Sequence, residues 1–388
     1  MEKIRVVHHS NQLGLGGTEK TMQLFCKYLN KDIFDVHALT QKYPVSPYKI
    51  KFNSLKALLG NKKARSRKAR FEQDSSRVPE FRNMLGADHL HLYTLKDLPG
   101  TLKRISPHIL HVHHSGEIEP PLDQADALAS IPAVFTTNVF GVQGRSPEQE
   151  RISRILFVSH WLKDVAAPWS KGDPRCGVLY NPVEKPYTDA DLRSELNIPK
   201  DTIVLGRIGR NADDIHDPIS LRAYKEIENE KTLFLVLSPP PIMISEAKEM
   251  RIRNIRYLDP STDDIFLSKF YNTLDMLAHA RSDGETFGCV IAEAMIHGKP
   301  VVTHRSDMRN AQAELVDASC GFVADRHDHK AYASYLKRLI EDKDLRLKMG
   351  EAARKRALTN FEAGVVTKVL ERLYLEELGK TGNPRFNP

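Results

Sequence analysis

Two glutamates in the stretch "RSDGETFGCVIAEAMIHGKPVV" could bind a ligand rich in hydroxyl groups. Glu285 and Glu293 stand eight positions apart, the first ahead of a predicted helix over Cys289–Ile296 and the second more than one turn inside it. Carboxylates can only accept hydrogen bonds, whereas the free N–H groups at a helix start near Gly288 suit anionic oxygen. A ligand with sugar hydroxyls, a diphosphate and a ribose would satisfy both. A Glu293 that merely pairs with a neighbouring cation remains the alternative.

A glycine-rich loop near the amino terminus, "GLGGTEKT", could approach a phosphate through its backbone. Glu19 stands where a P-loop requires glycine, and the glycines do not match the spacing of a dinucleotide-binding loop, so both of these functions are excluded. Gly16 and Gly17 fall between a strand over Ile4–Val7 and a helix that begins near Thr18, where backbone amides can approach a ligand without a Cβ in the way. A tight turn capped by Thr18 is the equally open alternative.

The elements that must position these residues alternate between short apolar strands and helical stretches. Strand patterns such as "IRVVH", "FDVHAL", "HILHVHH", "TIVLGRIGR", "TLFLVLS" and "KPVVTH" are separated by helical patterns, which predicts parallel sheets in an α/β fold. The helix after Glu285 is expected to end at Gly298, ahead of a strand over Pro300–Thr303. A final helix over Phe361–Leu378 has an apolar face, formed by Phe361, Val365, Val369, Leu370, Leu373, Tyr374 and Leu378.

Composition describes an ordinary globular chain of two domains. The 388 residues are 41% apolar and 28% charged, with a net charge of +7. The cysteines show no metal-binding or disulfide pattern, and no apolar run reaches the roughly 20 residues of a spanning helix. We therefore expect a cytoplasmic protein whose contact with a membrane, if any, is peripheral and at the inner face.

A basic stretch, "KKARSRKAR", interrupts the α/β pattern between about residues 41 and 100. A solvated helix or loop is the simplest interpretation of such a run. The alternative is a surface that docks an anionic acceptor or lipid headgroups. Nucleic acid is not expected, because one nearby aromatic residue makes no stacking platform. The basic residues of this candidate surface are Lys62, Lys63, Arg65, Arg67, Lys68 and Arg70.

Three motifs in this order resemble family 4 of the retaining glycosyltransferases. The segment "ETFGCVIAE" resembles the E-x7-E signature of that family, "GGTEK" its GG-x-E-R/K loop, and "LYNPVEKP" its interdomain segment. The resemblance implies a GT-B fold, with two Rossmann-like domains facing a central cleft. These would be an acceptor domain over residues 1–182 and a donor domain over residues 183–360. The helix over residues 361–378 would cross back to the first domain.

The resemblance also implies a role for each matching residue. Glu285 would accept hydrogen bonds from the hydroxyls of the donor sugar, beside backbone N–H groups of Phe287, Gly288 and Cys289. Glu293 would hold the ribose hydroxyls. Gly16 and Gly17 would lie close to the donor diphosphate. His113 matches a strand-end histidine near the reaction centre, although His111 and His114 are adjacent candidates.

A basic pair that clamps the diphosphate is expected after the first strand of the second domain. The stretch "LGRIGRNADDIHDP" contains Arg207 and Arg210, each preceded by glycine, and Arg210 is preferred for its bidentate fork. The lysine that usually follows is missing. His216 stands six positions after Arg210 and is the nearest substitute.

These residues together favour a metal-independent hexosyltransferase that moves a sugar from a nucleoside diphosphate to an acceptor hydroxyl. Retention of the anomeric configuration and the absence of a cofactor are implied by the resemblance. The donor nucleotide could be UDP, GDP or ADP, and the acceptor a glycan, a lipid-linked molecule or a small molecule. Two alternatives remain open, a binding protein that lost turnover with its lysine, and a sugar-phosphate synthase or nucleotide-sugar epimerase on the same fold.

Overall fold

The chain divides into two compact α/β units, each built on one parallel sheet. The computed structural model describes residues 2–14, 16–42, 75–114, 119–138 and 150–380. The basic residues between Lys62 and Arg70 lie outside this part of the chain. Unit 1 comprises Met1–Val158, Leu162–Leu179 and Thr367–Pro388, and unit 2 comprises Ser159–Trp161 and Tyr180–Val366. Six residues from the predicted first domain, Ser159–Trp161 and Tyr180–Pro182, thus group with the second unit.

Unit 1 has a seven-stranded sheet in the order β3-β2-β1-β4-β5-β6-β7, and every adjacent pair is parallel. Its strands are β1 Ile4–Ser10, β2 Phe34–Gln41, β3 Leu90–Tyr93, β4 Ile109–His114, β5 Ala133–Asn138, β6 Arg154–Phe157 and β7 Cys176–Val178. Its helices up to β5 are α1 Gly17–Tyr28, α2 Val78–Leu85, α3 Leu98–Ile105 and α4 Ala125–Leu128. A 3₁₀ turn, Ala87–His89, leads into β3. A π-helical turn, Leu162–Ala166, and a 3₁₀ turn, Pro168–Ser170, precede β7.

Unit 2 has a six-stranded sheet in the order β10-β9-β8-β11-β12-β13, again parallel throughout. Its strands are β8 Ile203–Ile208, β9 Thr232–Leu237, β10 Ile255–Leu258, β11 Met276–Ala278, β12 Val301–His304 and β13 Gly321–Ala324. Its helices are α5 Ile219–Ile227, α6 Pro241–Glu249, α7 Asp264–Thr273, α8 Cys289–Ile296, α9 Gln312–Leu315, α10 His329–Glu341 and α11 Lys343–Asn360. A 3₁₀ turn, Asp213–Ile215, connects β8 to α5.

The last helix, α12 (Ala363–Lys380), begins within unit 2 and packs against the sheet of unit 1 from Thr367 onward. Tyr374, fully buried, stacks edge-on against Phe135 with ring centroids 4.8 Å apart. Leu370 and Leu378 are buried as predicted, but Val365 is 38% exposed. That part of the prediction is wrong because the buried stripe runs through Ala363, Val366 and Thr367 instead.

The predicted α/β class with parallel sheets is confirmed, and helix α8 has the predicted bounds. Several other elements differ. Strand β1 extends three residues beyond Val7, and β12 begins and ends one residue later than predicted. Strands β3, β7 and β13 were missed, since each has only three or four residues and too few alternations to give a period. Among the described residues, no helix combines the length and apolarity that crossing a bilayer requires.

Candidate functional site

The order of each sheet contains one point at which the chain reverses its direction of winding. In unit 1 this switch point lies between β1 and β4, and in unit 2 between β8 and β11. Ligands of open parallel sheets bind at such points, beyond the carboxyl ends of the strands. Several of the sequence-predicted residues lie on the strands and loops beside these points. Arg207 lies near the end of β8, and Gly16 follows β1.

Arg207 has a buried guanidinium group in which two of the three nitrogens lack a hydrogen-bond partner among the described residues. The residue is 3% exposed, and Nε and Nη1 have no hydrogen-bond partner among the described residues. Burial lowers its pKa to about 10, with smaller influences from Tyr332 and from the positive charge of Arg281. A buried cation whose N–H groups lack partners is costly, so this geometry suits an anionic ligand that would supply the acceptors.

Glu285 is held by side chains from the ends of neighbouring strands. His279, directly after β11, places Nε2 3.1 Å from Oε1 of Glu285, while its Nδ1 lies 2.9 Å from the hydroxyl of Thr303 in β12. Arg281 places Nη1 3.8 Å from the same carboxylate oxygen. The amide N–H of Glu285 donates to Oε1 of Gln312 over 3.0 Å. Only Oε1 of the carboxylate takes part in these contacts.

Two glycines shape the loop that carries Glu285 into helix α8. Gly284 has φ +65°, and a Cβ there would lie 1.8 Å from the carbonyl oxygen of Arg309. Gly288, the N-cap of α8, has φ +103°. Both conformations favour glycine strongly. Phe287 between them is buried against Tyr180 and Phe361, so its backbone is the part of Phe287 that a ligand could meet.

Glu293 and Cys289 lie on the same side of helix α8. The phenol of Tyr271 in α7 donates a hydrogen bond of 2.6 Å to Oε2 of Glu293. Burial raises the pKa of the Cys289 thiol to about 12, and the negative charges of Glu293 and Glu285 add to this effect. Asn181 donates to the Cys289 sulfur over 3.7 Å. The structure therefore brings the two glutamates of the E-x7-E pair to a common neighbour.

The two other basic candidates have different surroundings. Arg210 is exposed in the loop that follows β8. His216 is buried, with Nε2 2.7 Å from Oε2 of Glu246 in α6 and a buried Nδ1 that lacks a partner among the described residues. His216 is thus already paired with a carboxylate. Its predicted role as a substitute for the missing lysine remains a prediction.

The glycine loop of unit 1 is shaped by the glutamate that excluded a P-loop. Helix α1 begins at Gly17 with Gly16 as its N-cap and has no side-chain cap, so the alternative of a cap by Thr18 is wrong. The carboxylate of Glu19 folds back on Gly16, where a Cβ would lie 2.2 Å from Oε2. Gln12 donates to Oε1 of Glu19 over 2.9 Å. A side chain at position 16 would therefore have to displace the Glu19 carboxylate from this position.

His113 belongs to a cluster of buried histidines at the switch point of unit 1. Its Nε2 lies 2.9 Å from Nδ1 of His8, and its ring stacks on His111 with centroids 4.5 Å apart. His111 in turn contacts the hydroxyls of Thr137, at 2.7 Å, and Tyr374, at 2.5 Å. Burial holds the pKa of His113 well below its ordinary value, and the neighbouring histidines act in the same direction. His113 is therefore neutral, and its Nδ1 is buried without a partner among the described residues.

Sequence reasoning missed several residues that shape the unit 2 site, namely Asn181, Tyr271, His279, Arg281 and Gln312. His279 and Arg281 follow β11 directly, and this position after a strand was the available signal. Tyr271 and Gln312 come from other helices, so their contacts with the glutamates depend on tertiary packing.

Similarity to solved structures defines the class of fold as GT-B. A glycosyltransferase structure from Rickettsia africae aligns with a TM-score of 0.71 at 17% identity, over 97% of this chain and 99% of that one. HepE from Anabaena, solved with UDP and glucose, aligns with a TM-score of 0.63 at 15% identity, over 95% and 99%. At these identities the likeness concerns the fold alone.

Residues 245–356 match the family model described as "Glycosyl transferases group 1". A D-inositol 3-phosphate glycosyltransferase of Corynebacterium diphtheriae is 28% identical over 208 residues, half of this chain and 47% of that protein. The capsular polysaccharide biosynthesis glycosyltransferase CapM of Staphylococcus aureus is 27% identical over 195 residues, 45% of this chain and 46% of that protein. The match thus spans about half the length of these relatives. The stretch matched by the family model contains Glu285 and Glu293 but not Arg207.

Proposed function

We propose that this protein is a glycosyltransferase that moves a sugar from a nucleoside diphosphate to an acceptor hydroxyl. The carrying observation is the buried guanidinium of Arg207, whose Nε and Nη1 lack partners at the carboxyl end of β8. A diphosphate would provide the missing acceptors and the compensating charge. The match over residues 245–356 and the GT-B fold support the same conclusion.

In this proposal each glutamate binds the hydroxyl groups at one end of the donor. Glu285, with one carboxylate oxygen held by His279 and Arg281, would accept from the sugar hydroxyls. Glu293, with one oxygen held by Tyr271, would accept from the ribose. The start of helix α8, between Gly288 and Cys289, adds unpaired N–H groups and the positive end of the helix dipole.

In the proposed reaction the bond between the anomeric carbon and the diphosphate oxygen breaks while the acceptor oxygen bonds to that carbon. Negative charge grows on the leaving diphosphate, where Arg207 and the α8 start would stabilise it. The acceptor attacks on the face from which the diphosphate departs, so its proton passes to the leaving phosphate and the configuration is retained without a protein nucleophile. HepE was solved with UDP, which makes UDP the first donor nucleotide to test here.

Binding of nucleoside diphosphates is the first test, because a ligand that binds the folded state raises the melting temperature. We expect a rise with one of UDP, GDP or ADP, and none in Arg207→Met. Arg253→Met is the matched control, since Arg253 is an exposed arginine of the same unit. An equal rise in wild type and Arg207→Met would refute the assignment of the diphosphate to Arg207.

A second test distinguishes sugar transfer from nucleotide binding. Glu285→Gln should abolish turnover with nucleotide binding kept, while Glu226→Gln, an exposed carboxylate of unit 2, should leave both intact. Binding without turnover on any sugar nucleotide would indicate a non-catalytic binding protein. Conversion of a donor without a separate acceptor would indicate an epimerase, and a sugar-phosphate acceptor would indicate a synthase.

A further inference from the structure

A carboxylate and two imidazoles converge at the edge of the unit 1 sheet opposite to the Gly16 loop. Asp35 and His37 lie near the start of β2 and face the same side because they are two residues apart. His89 ends the 3₁₀ turn before β3. None of these residues belongs to the proposed sugar-transfer site.

The three side chains point their ligand atoms at one another. Nε2 of His37 lies 3.1 Å from Oδ2 of Asp35, and Nε2 of His89 lies 3.0 Å from Oδ1. The two imidazole rings stack with centroids 4.5 Å apart. Two ligand atoms on one tetrahedral zinc ion stand about 3.3 Å apart, given metal–ligand bonds of about 2.0 Å. The two nitrogen–oxygen separations, one to each oxygen of Asp35, are within a few tenths of an ångström of this value, and the three ligand atoms lie within 4.8 Å of one another.

A fourth side chain orients the cluster without joining it. Nε2 of His91 in β3 lies 3.0 Å from Nδ1 of His37. When Nδ1 of a ligating histidine donates to such a partner, Nε2 becomes the lone-pair atom, which is the arrangement that outer partners impose on metal-binding histidines. Nε of Arg5 also forms an ion pair with Asp35, 3.6 Å from Oδ2, while Nη1 of Arg5 donates to the carbonyls of Ile105 and Ser106.

The cluster is also accessible from solvent. The side chain of His89 is 39% exposed and that of Asp35 32%, whereas the inner ligand His37 is 11% exposed. By contrast, His8, His111 and His113, which also converge, are all buried, and His111 already has hydroxyl partners at both ring nitrogens. Accessibility and pre-orientation therefore distinguish the Asp35 cluster.

We propose that Asp35, His37 and His89 bind a divalent transition-metal ion of the zinc type, with His91 as a positioning residue. Two imidazoles and one carboxylate suit zinc and the neighbouring first-row transition metals better than magnesium or calcium, which prefer oxygen ligands. The ion would link β2 to the turn that starts β3. It acts on the stability of unit 1 and takes no part in sugar transfer.

The test uses the full chain with any polyhistidine tag removed, dialysed against a chelator and titrated with Zn²⁺ by calorimetry. We expect one ion per chain and a higher melting temperature. His89→Ala and His37→Ala should each weaken binding more than about 100-fold, and His91→Ala about 10- to 100-fold. Co²⁺ should give visible absorption bands in wild type and lose them in His89→Ala.

His329→Ala is the matched control, since His329 pairs with Glu226 over 3.1 Å and belongs to no three-ligand cluster among the described residues. It should keep wild-type affinity. Far-UV circular dichroism checks that the His89 variant, altered at an exposed position, is folded. A wild type that retains no Zn²⁺, or binding that survives His89→Ala and disappears in His8→Ala, would overturn the proposal.

Discussion

Nε2 of His279 lies 3.1 Å from Oε1 of Glu285 and so links the end of β11 to the loop before α8. Because Nδ1 of the same ring lies 2.9 Å from the Thr303 hydroxyl, the imidazole is held from both sides. The carboxylate that would face the donor sugar is therefore fixed by residues outside the E-x7-E segment. This relationship leads to the first prediction.

Replacing His279 with alanine should lower kcat by roughly 10- to 100-fold, the expected cost of one hydrogen bond to a charged group. KM for the donor should change less, since the ligand contacts themselves remain. His279→Asn, which keeps a donor near the carboxylate, should recover part of the loss. Steady-state kinetics with a sugar nucleotide measures both constants, and a His279→Ala enzyme with normal kcat would exclude a positioning role.

Arg207→Met should make the free protein more stable while it removes function. Exchanging a buried guanidinium with unused N–H groups for an apolar chain of similar length is expected to gain about 1 kcal/mol in the free energy of unfolding. Transition-state stabilisation should fall by about 2 to 4 kcal/mol. Chemical denaturation measures the change in stability, and kcat/KM measures the loss of transition-state stabilisation. A destabilised Arg207→Met protein would show that the arginine has a structural role instead.

Arg210→Ala tests the arginine that the sequence analysis preferred for binding the diphosphate. Arg210 is exposed, so its removal should leave stability within about 0.5 kcal/mol of wild type. If Arg210 also contacts the diphosphate, kcat/KM should fall by the same 2 to 4 kcal/mol. Unchanged kinetics would indicate that Arg207, and not Arg210, binds the diphosphate.

His216→Lys tests the missing lysine of the phosphate clamp. The Nε2 of His216 contacts Oε2 of Glu246 at 2.7 Å, and a lysine could keep an ion pair with that carboxylate. We expect unchanged or higher donor affinity, measured by the shift in melting temperature with the nucleoside diphosphate. Loss of donor binding in a folded His216→Lys protein would show that the imidazole itself is needed.

Unit 1 should lose stability in acid through its buried histidines. Burial, assisted by the charge of Lys31, lowers the pKa of His8 from 6.5 to about 3. Between these values the unfolded chain binds a proton at His8 that the folded chain does not, so stability falls as pH drops from 6.5 toward 3. Each such histidine contributes a slope of about 1.4 kcal/mol per pH unit.

Urea denaturation at pH 7, 6 and 5 measures this slope. His8→Asn, which cannot take up the proton, should flatten the profile by about one proton relative to wild type. Stability that rises as pH falls from 6.5 would contradict the prediction.

Local sequence patterns predicted much of the fold. The alternation of strand and helix periods predicted two α/β halves, and the glycine at position 298 predicted where α8 ends. Short strands such as β7 and β13 were beyond this reasoning, since three or four residues give no period. The exposed Val365 was assigned to the wrong face because the apolar residues of α12 cover more than half of its circumference, and only the packing of Tyr374 against Phe135 decides the face.

By itself, the sequence determined the parallel α/β class, the helix that carries Glu293, and the loop that carries Glu285, because these depend on residues close together in the chain. Tertiary structure alone decided which arginine is buried, which groups hold the glutamates and where the histidines of β1 and β4 meet. Those outcomes depend on strand order, which places β8 beside β11 and β1 beside β4 across more than sixty residues of intervening chain. A local sequence period cannot predict which strands pair, because the pairing depends on how whole helices and strands pack.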